Sequence, residues 1–152
     1  MLLIDKLLLD ETSAKAAQNE RLRMNYNIHN CLEDPVNRML NALEPGTYLR
    51  PHRHHTPPKT ESYIVLRGEL DVLIFNNEGK LIQRTVLNPL TGNYGVDIPS
   101  GEWHSMIVKQ SGTVIYEVKA GPFSPTVPDD FAPWSPESDN EEGVKEFFKQ
   151  YL

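Results

Sequence analysis

The chain has 152 residues, 39% of them hydrophobic and 24% charged, so it can bury a core within a single domain spanning residues 1–152. Fifteen Lys and Arg against 21 Asp and Glu give a formal net charge of −6, which argues against a nucleic-acid or anionic-membrane partner. One cysteine, Cys31, excludes an intramolecular disulfide and a thiolate metal cluster.

The first segment predicts a helix. Ile4, Leu7 and Leu8 recur at helical spacing, and an alanine-rich run follows, so a helix is expected over about 5–19 within an N-terminal helical extension, residues 1–23. The segment lacks the cationic start and unbroken apolar run of a signal peptide. No stretch approaches the ~20 apolar residues of a membrane span. We therefore expect a cytoplasmic protein.

The middle of the chain predicts an all-β domain. Short runs rich in Val, Ile, Tyr and Phe alternate with turn residues, which is typical of an antiparallel sandwich or barrel rather than of βαβ units. The predicted strands cover 36–43, 61–66, 69–75, 80–87, 96–98, 103–108 and 113–120, with an extended segment over 48–54.

Residues 121–152 predict a C-terminal arm. Five of the 12 prolines lie within 122–136, so an extended loop is expected across the exterior of the domain. Three aromatic side chains could anchor it: Phe123, Phe131 and Trp134. The acids of 129–142 are interpreted as a solvated surface. A short helix is predicted from Ser138, which has capping-box spacing with Glu141.

The chemistry is concentrated in the histidine-rich segment 51–55. Alternation along an extended chain puts His52 and His54 on one face and His55 on the other. Glu61 begins the next strand, and His104 closes a separate Pro-x-Gly-x-x-His turn. Three imidazoles and one carboxylate suit one divalent transition metal ion, Fe, Mn, Ni, Co or Zn, with positions left for a substrate. The alternative is a group of surface histidines that binds no metal.

Strand parity adds further candidates. Tyr48 and Arg50 share the face of the paired histidines, provided that Pro51 keeps the alternation, and Tyr63 shares the face of Glu61. Arg50 would bind an oxyanion of the substrate, or else extend from the rim into solvent.

Three more polar residues have two interpretations each. Glu117 and Lys119 lie on one face of a strand, where a mutual ion pair on the outside is the simpler interpretation and a role inside the domain is the alternative. His29 lies in a polar segment and is by default a surface residue, with a role in capping the pocket or in a dimer interface as the alternative.

The spacing of these residues resembles the two motifs of the cupin superfamily. The matching patterns are Gly46-x5-His52-x-His54 with Glu61-x6-Gly68, and Pro99-x-Gly101-x2-His104. The six residues between His54 and Glu61 exceed the usual spacing, which leaves His55 as an alternative fourth ligand. The resemblance implies a cupin double-stranded β-helix, that is, a jelly-roll barrel, and a homodimer.

A closer resemblance extends over nearly the whole chain. It rests on Arg21-x-Arg23, Asn27-x-His29, Arg38-Met39, Tyr48-x2-Pro51-His52-Arg53-His54, Glu117-Val118-Lys119-x-Gly121-Pro122, Phe131-Ala132 and Trp134-x-Pro136-Glu137. These patterns are similar to the WbuC family of small cupin metalloproteins, which is associated with bacterial surface-polysaccharide gene clusters. The resemblance implies a sugar-related substrate by association and favours a site role for His29.

Three functions are compatible with these residues. The first is a metal-dependent isomerase, epimerase or lyase that acts on a sugar or sugar derivative. Its proton-transfer candidates are Glu61, Tyr63 and Glu117, and its substrate-binding candidates are Arg50, Tyr48, His29 and Lys119. The second is an Fe(II)-dependent dioxygenase for a small molecule, and the third is a ligand-binding module without catalysis.

Overall fold

Two antiparallel β-sheets form the body of the protein in the computed structural model, which describes residues 1–151. The elements are α1 (Lys6–Ala17), β1 (Arg23–Asn27), β2 (Val36–Leu43), β3 (Glu61–Arg67), β4 (Leu70–Phe75), β5 (Leu81–Leu87), β6 (Gly95–Ile98), β7 (Trp103–Val108), β8 (Thr113–Ala120) and α2 (Glu141–Lys149). The larger sheet has the order β1-β2-β8-β3-β6, and the smaller one has the order β5-β4-β7. No helix within residues 1–151 combines the length and the apolar character needed to cross a membrane.

The main core lies between the two sheets. Alternation in β3 sends Tyr63 and Val65 inward while Ile64 stays exposed, and the inward side chains meet apolar residues of the smaller sheet. Strand β7 is buried along its whole length because the C-terminal arm covers its outer face. The predicted all-β class is therefore confirmed.

Helix α1 covers the outer face of the larger sheet. The Asp5 carboxylate caps it by accepting a hydrogen bond from the Leu8 N–H at 3.0 Å. A small apolar cluster, Ala16, Leu40, Ala42 and Val114, fills the space between helix and sheet. The observed bounds lie inside the predicted range of about 5–19.

The C-terminal arm packs on the smaller sheet through aromatic contacts. Trp134 lies against Phe75, and Phe147 of α2 contacts both rings. Helix α2 begins at Glu141 with Asn140 as its N-cap, whose side chain accepts from the Gly143 N–H at 2.9 Å. The predicted start at Ser138 was therefore too early. Asn140 supplies the capping oxygen closer to the first helical turn.

Two expectations about the arm were wrong. Phe123 does not anchor it, because that side chain is 48% exposed. Asp130 is not part of a solvated surface. Its carboxylate is buried and accepts hydrogen bonds from the backbone N–H groups of His55 (3.1 Å) and Thr56 (2.9 Å).

Strand β1 was missed by the sequence prediction. It pairs antiparallel with β2, and Arg23 lies opposite Leu43. The alternation of Met24 and Tyr26 with polar residues was an available signal, but three polar residues out of five made the segment resemble a loop.

Candidate metal centre

His52 and His104 face each other across a short antiparallel bridge. Each backbone N–H donates to the carbonyl of the other residue, at 3.0 Å for His52 and 2.8 Å for His104. The imidazole centroids lie 4.3 Å apart. The backbone therefore fixes the spacing of two predicted ligands that are far apart in sequence.

The Nδ1 atoms of these two rings are engaged by backbone carbonyls. His52 Nδ1 lies 3.0 Å from the Arg50 carbonyl, and His104 Nδ1 lies 2.9 Å from the Glu102 carbonyl. Because a carbonyl can only accept, Nδ1 carries the proton in both rings. The Nε2 lone pair is then available to a metal, which is the usual arrangement around ligating histidines.

His54 and Glu61 complete the cluster. The Nε2 atom of His54 is buried without a hydrogen-bond partner, 3.3 Å from Glu61 Oε2, and His104 Nε2 is 3.1 Å from the same oxygen. One donor atom from each of His52, His54, Glu61 and His104 lies within 4.8 Å of the other three. An unpaired imidazole nitrogen beside a buried carboxylate fits a divalent cation, so the donor set and its chemistry agree.

The carboxylate of Glu61 is stabilised as an anion. Its Oε2 accepts from the Tyr63 hydroxyl at 2.8 Å, and its Oε1 accepts from Lys119 Nζ at 3.0 Å. Burial raises the pKa of Glu61, but the neighbouring imidazoles of His104 and His54 and the charge of Lys119 lower that pKa further, so it lies well below its usual value.

Glu117 and Lys119 lie inside the barrel. Their side chains are 3.0 Å apart, as the ion-pair interpretation predicted, but the expected position on the outside was wrong. Burial and the neighbouring Glu61 carboxylate raise the pKa of Glu117 to about 8. Burial lowers the pKa of Lys119, but the two carboxylates raise it further and keep the ammonium charged.

These side chains line a cavity of about 380 Å³. Apolar walls come from Met39, Leu43, Leu49, Tyr63 and Met106, and polar groups come from Arg21, Arg23, Asn25, Asn41, Thr47, Glu117 and Lys119. Phe123 and Thr126 of the arm also line it. Sequence reasoning missed Asn41, whose amide donates to Glu117, although alternation along β2 places it on the inner face with Met39 and Leu43.

Tyr48 and Arg50 do not line this cavity. The alternation changes at Pro51, so that Leu49 rather than Arg50 faces inward with His52. The Tyr48 hydroxyl donates to the Pro136 carbonyl at 2.9 Å. The Arg50 guanidinium stacks on Phe131 and donates to Ser135 and Glu137. Both side chains hold the C-terminal arm.

His29 and His55 also lie outside the cluster. His29 is buried, so the default surface position was wrong, and its Nδ1 lies 3.0 Å from the Arg38 carbonyl. His55 is exposed, as strand parity predicted, and the group of four includes Glu61 instead.

The long loop between His54 and Glu61 is held by the arm. Besides the two Asp130 hydrogen bonds, the buried Lys59 ammonium donates to the Pro122 carbonyl at 2.5 Å. These contacts compensate for the longer loop and bring Glu61 back to the histidines.

Comparison of the sequence with known proteins identifies the family of the chain. No curated protein matches the chain. A family model described as "Domain of unknown function (DUF6016)" matches residues 4–87, which is more than half of the chain. The chain belongs to the DUF6016 family. The region matched by the DUF6016 model contains three of the four candidate ligands, His52, His54 and Glu61.

Solved structures similar to this DUF6016 chain share a fold with it. KdgF from Halomonas sp. has a TM-score of 0.52 at 14% identity over 67% of this chain and 82% of its own. A cupin superfamily protein from Desulfitobacterium hafniense DCB-2 has 0.50 at 15% over 64% and 76%. A putative sugar phosphate isomerase from Acidithiobacillus ferrooxidans has 0.51 at 20% over 65% and 59%. The DUF6016 chain therefore has the predicted cupin jelly-roll fold.

Proposed function

We propose that the chain is a metal-dependent cupin enzyme that moves a proton on a sugar or sugar derivative, by isomerisation, epimerisation or elimination. The main support for this proposal is that the buried Glu117–Lys119 pair lies beside the four-residue cluster, inside one cavity. One protein of similar fold is described as a putative sugar phosphate isomerase, which is compatible with a sugar-related substrate.

His52, His54, Glu61 and His104 would hold one divalent ion, Fe, Mn, Ni, Co or Zn. The ion would supply Lewis acidity toward a carbonyl or hydroxyl oxygen of the substrate. We assign the proton transfer to Glu117, because the other two candidates are engaged: Glu61 is a ligand and Tyr63 donates to it. In an isomerisation an oxygen of ionised Glu117, the form that prevails above its pKa of about 8, accepts the proton from the hydroxyl-bearing carbon beside the carbonyl and returns it to the carbonyl carbon. The proton of that hydroxyl passes to the former carbonyl oxygen.

Lys119 and Asn41 would keep the Glu117 carboxylate in place. Lys119 donates to one of its oxygens at 3.0 Å, and the Asn41 amide donates to the other. Lys119 also donates to Glu61, and its positive charge reduces the repulsion between the two buried carboxylates. Among cupins, we infer a place near the WbuC family and a role in surface-polysaccharide metabolism in the cytoplasm from the sequence patterns alone.

The test is hydrogen exchange between substrate and solvent. Metal-loaded protein is incubated with a panel of aldoses, ketoses and uronic acids in D₂O, and deuterium incorporation is followed by NMR. We expect exchange at one carbon of an accepted sugar and a loss of about a hundredfold or more in Glu117→Gln. Metal content should be unchanged in that variant, and His55→Gln is the matched control because His55 lies outside the cluster.

Two outcomes contradict this proposal. Substrate-dependent oxygen uptake by the iron-loaded protein, without exchange, indicates a dioxygenase. A bound sugar that is recovered unchanged and undeuterated after prolonged incubation indicates a binding module.

A further inference from the structure

Two arginines, Arg21 and Arg23, line the same cavity as the candidate ligands. Arg23 lies opposite Leu43, which is paired with Thr113 at the start of β8. Lys119, the partner of Glu61, lies six positions further along β8. That separation corresponds to roughly 20 Å of strand, so the arginines lie at the opposite end of the cavity from Glu61.

The positive charge of these arginines is not neutralised within residues 1–151. No described carboxylate lies within 4.0 Å of either guanidinium. The nearby Glu44 does not pair with either arginine. Its carboxylate accepts hydrogen bonds from Ser111 and Gly112. The carboxylates deeper in the cavity are paired with Lys119.

Burial and the charge of Arg21 lower the pKa of Arg23. The two cations therefore repel each other, and an anion between them would relieve the repulsion.

The hydrogen bonds of Arg23 orient its free edge. Its Nη1 donates to the Tyr48 carbonyl at 2.6 Å and to Thr47 Oγ1 at 3.3 Å, and Thr47 is itself anchored on the Arg21 carbonyl at 2.7 Å. Among residues 1–151 no hydrogen-bond partner is found for Nε and Nη2 of Arg23. This is the edge of a guanidinium that binds two oxygens of one carboxylate or phosphate group.

We propose that Arg21 and Arg23 form an oxyanion subsite for an acidic group, carboxylate or phosphate, on the part of the substrate remote from the four candidate metal ligands. The proposal rests on the proposed function and narrows its substrate class to acidic sugars. It also replaces Arg50, which holds the arm, as the residue expected to bind the anion.

The test measures binding rather than turnover. Isothermal titration calorimetry on metal-loaded protein compares glucuronate with its methyl ester, and glucose 6-phosphate with glucose. We expect at least one acidic probe to bind about tenfold more tightly than its neutral counterpart, and Arg23→Gln to abolish that preference. Lys80→Gln, which removes one exposed positive charge in the β4–β5 turn, should retain it.

Arg21→Gln provides a second variant, because no described hydrogen bond involves the Arg21 side chain. We expect this substitution to leave the fold and the metal content intact. It should reduce the preference even if Arg23→Gln fails to fold. Equal binding of acidic and neutral probes, or a preference that survives in both variants, overturns the proposal. Inorganic phosphate bound as tightly as glucose 6-phosphate also overturns it, since the arginines would then hold a free anion. Hydrogen exchange on neutral sugars without an acidic preference would leave the proposed function standing and remove only this subsite.

Discussion

At the scale of single residues, the orientation of His52 and His104 depends on backbone groups. Two carbonyls accept from the Nδ1 atoms, and a backbone bridge sets the distance between the strands. Backbone carbonyls are present whatever the side chain, so substitutions around the site leave these tautomers unchanged. These two imidazoles therefore keep their orientation when neighbouring side chains are substituted.

The first prediction concerns these four side chains. His104→Ala removes one of three imidazoles from the cluster, and we expect the purified variant to lose most of its bound metal by elemental analysis. His52→Ala should behave in the same way. His55→Ala is the matched control, because His55 is exposed and lies outside the cluster. Full metal retention in both cluster variants would contradict the assignment of the site.

The candidate ligands could be predicted from sequence because their spacing is specific. His52 and His54 share a strand face, and a spaced glutamate and a Pro-Gly turn supply the remaining positions. The positions of Glu117 and Lys119 could not be predicted in the same way. An ion pair on one strand face gives the same sequence pattern whether that face is inside or outside. Only the packing of the second sheet determines which face is buried.

At the scale of elements, the arm acts as a clamp on the loop between His54 and Glu61. The buried Asp130 carboxylate satisfies two backbone N–H groups of that loop and contacts Arg53. A loop longer than the usual cupin spacing would otherwise cost conformational entropy and leave Glu61 poorly placed. The arm thus helps to position the candidate ligand Glu61, although it contributes no candidate ligand itself.

The second prediction tests this clamp. Asp130→Ala leaves buried N–H groups without an acceptor and should destabilise the protein by about 2 kcal/mol in urea unfolding. It should also weaken metal retention against a chelator, because Glu61 follows the loop. Asp129→Ala is the control, since Asp129 is exposed and should change stability by no more than about 0.5 kcal/mol. Equal stability of the two variants would show that the clamp contributes nothing.

The sequence prediction found strands β2 to β8 and missed only β1. The bounds of β2, β7 and β8 agree with the sequence prediction. Turn residues mark the end of β2, and β-branched residues mark β7 and β8. Strand β1 was missed because asparagine and arginine fill the face that lines the cavity. The change of parity at Pro51 could not be predicted, since proline removes the donor that keeps a strand in register.

At the scale of the whole molecule, the N-terminal segment leaves apolar side chains in solvent. Leu3 is 67% exposed and Leu7 is 65% exposed, ahead of and within α1. Leu2 and Ile4 are exposed as well, and several exposed apolar side chains within one short segment are typical of an interaction surface.

The third prediction is a homodimer that uses this segment. Light scattering at micromolar concentration should give twice the mass of one chain, and Leu3→Ser with Leu7→Ser should shift it toward the monomer. Ile82→Ser is the control, because Ile82 is 62% exposed on β5, away from the N-terminus in the sequence. A monomeric mass for the unsubstituted protein at that concentration would contradict the prediction.

The bridge between His52 and His104 has a consequence for the order of maturation. Many small metal sites exist only after the ion has gathered their ligands, so that folding waits for metal. Here backbone pairing between His52 and His104 holds the two imidazoles side by side. We therefore expect metal loading to follow folding, and the ion to exchange without unfolding of the protein. The metal recovered from cells would then reflect the ion supply during growth as much as the preference of the site.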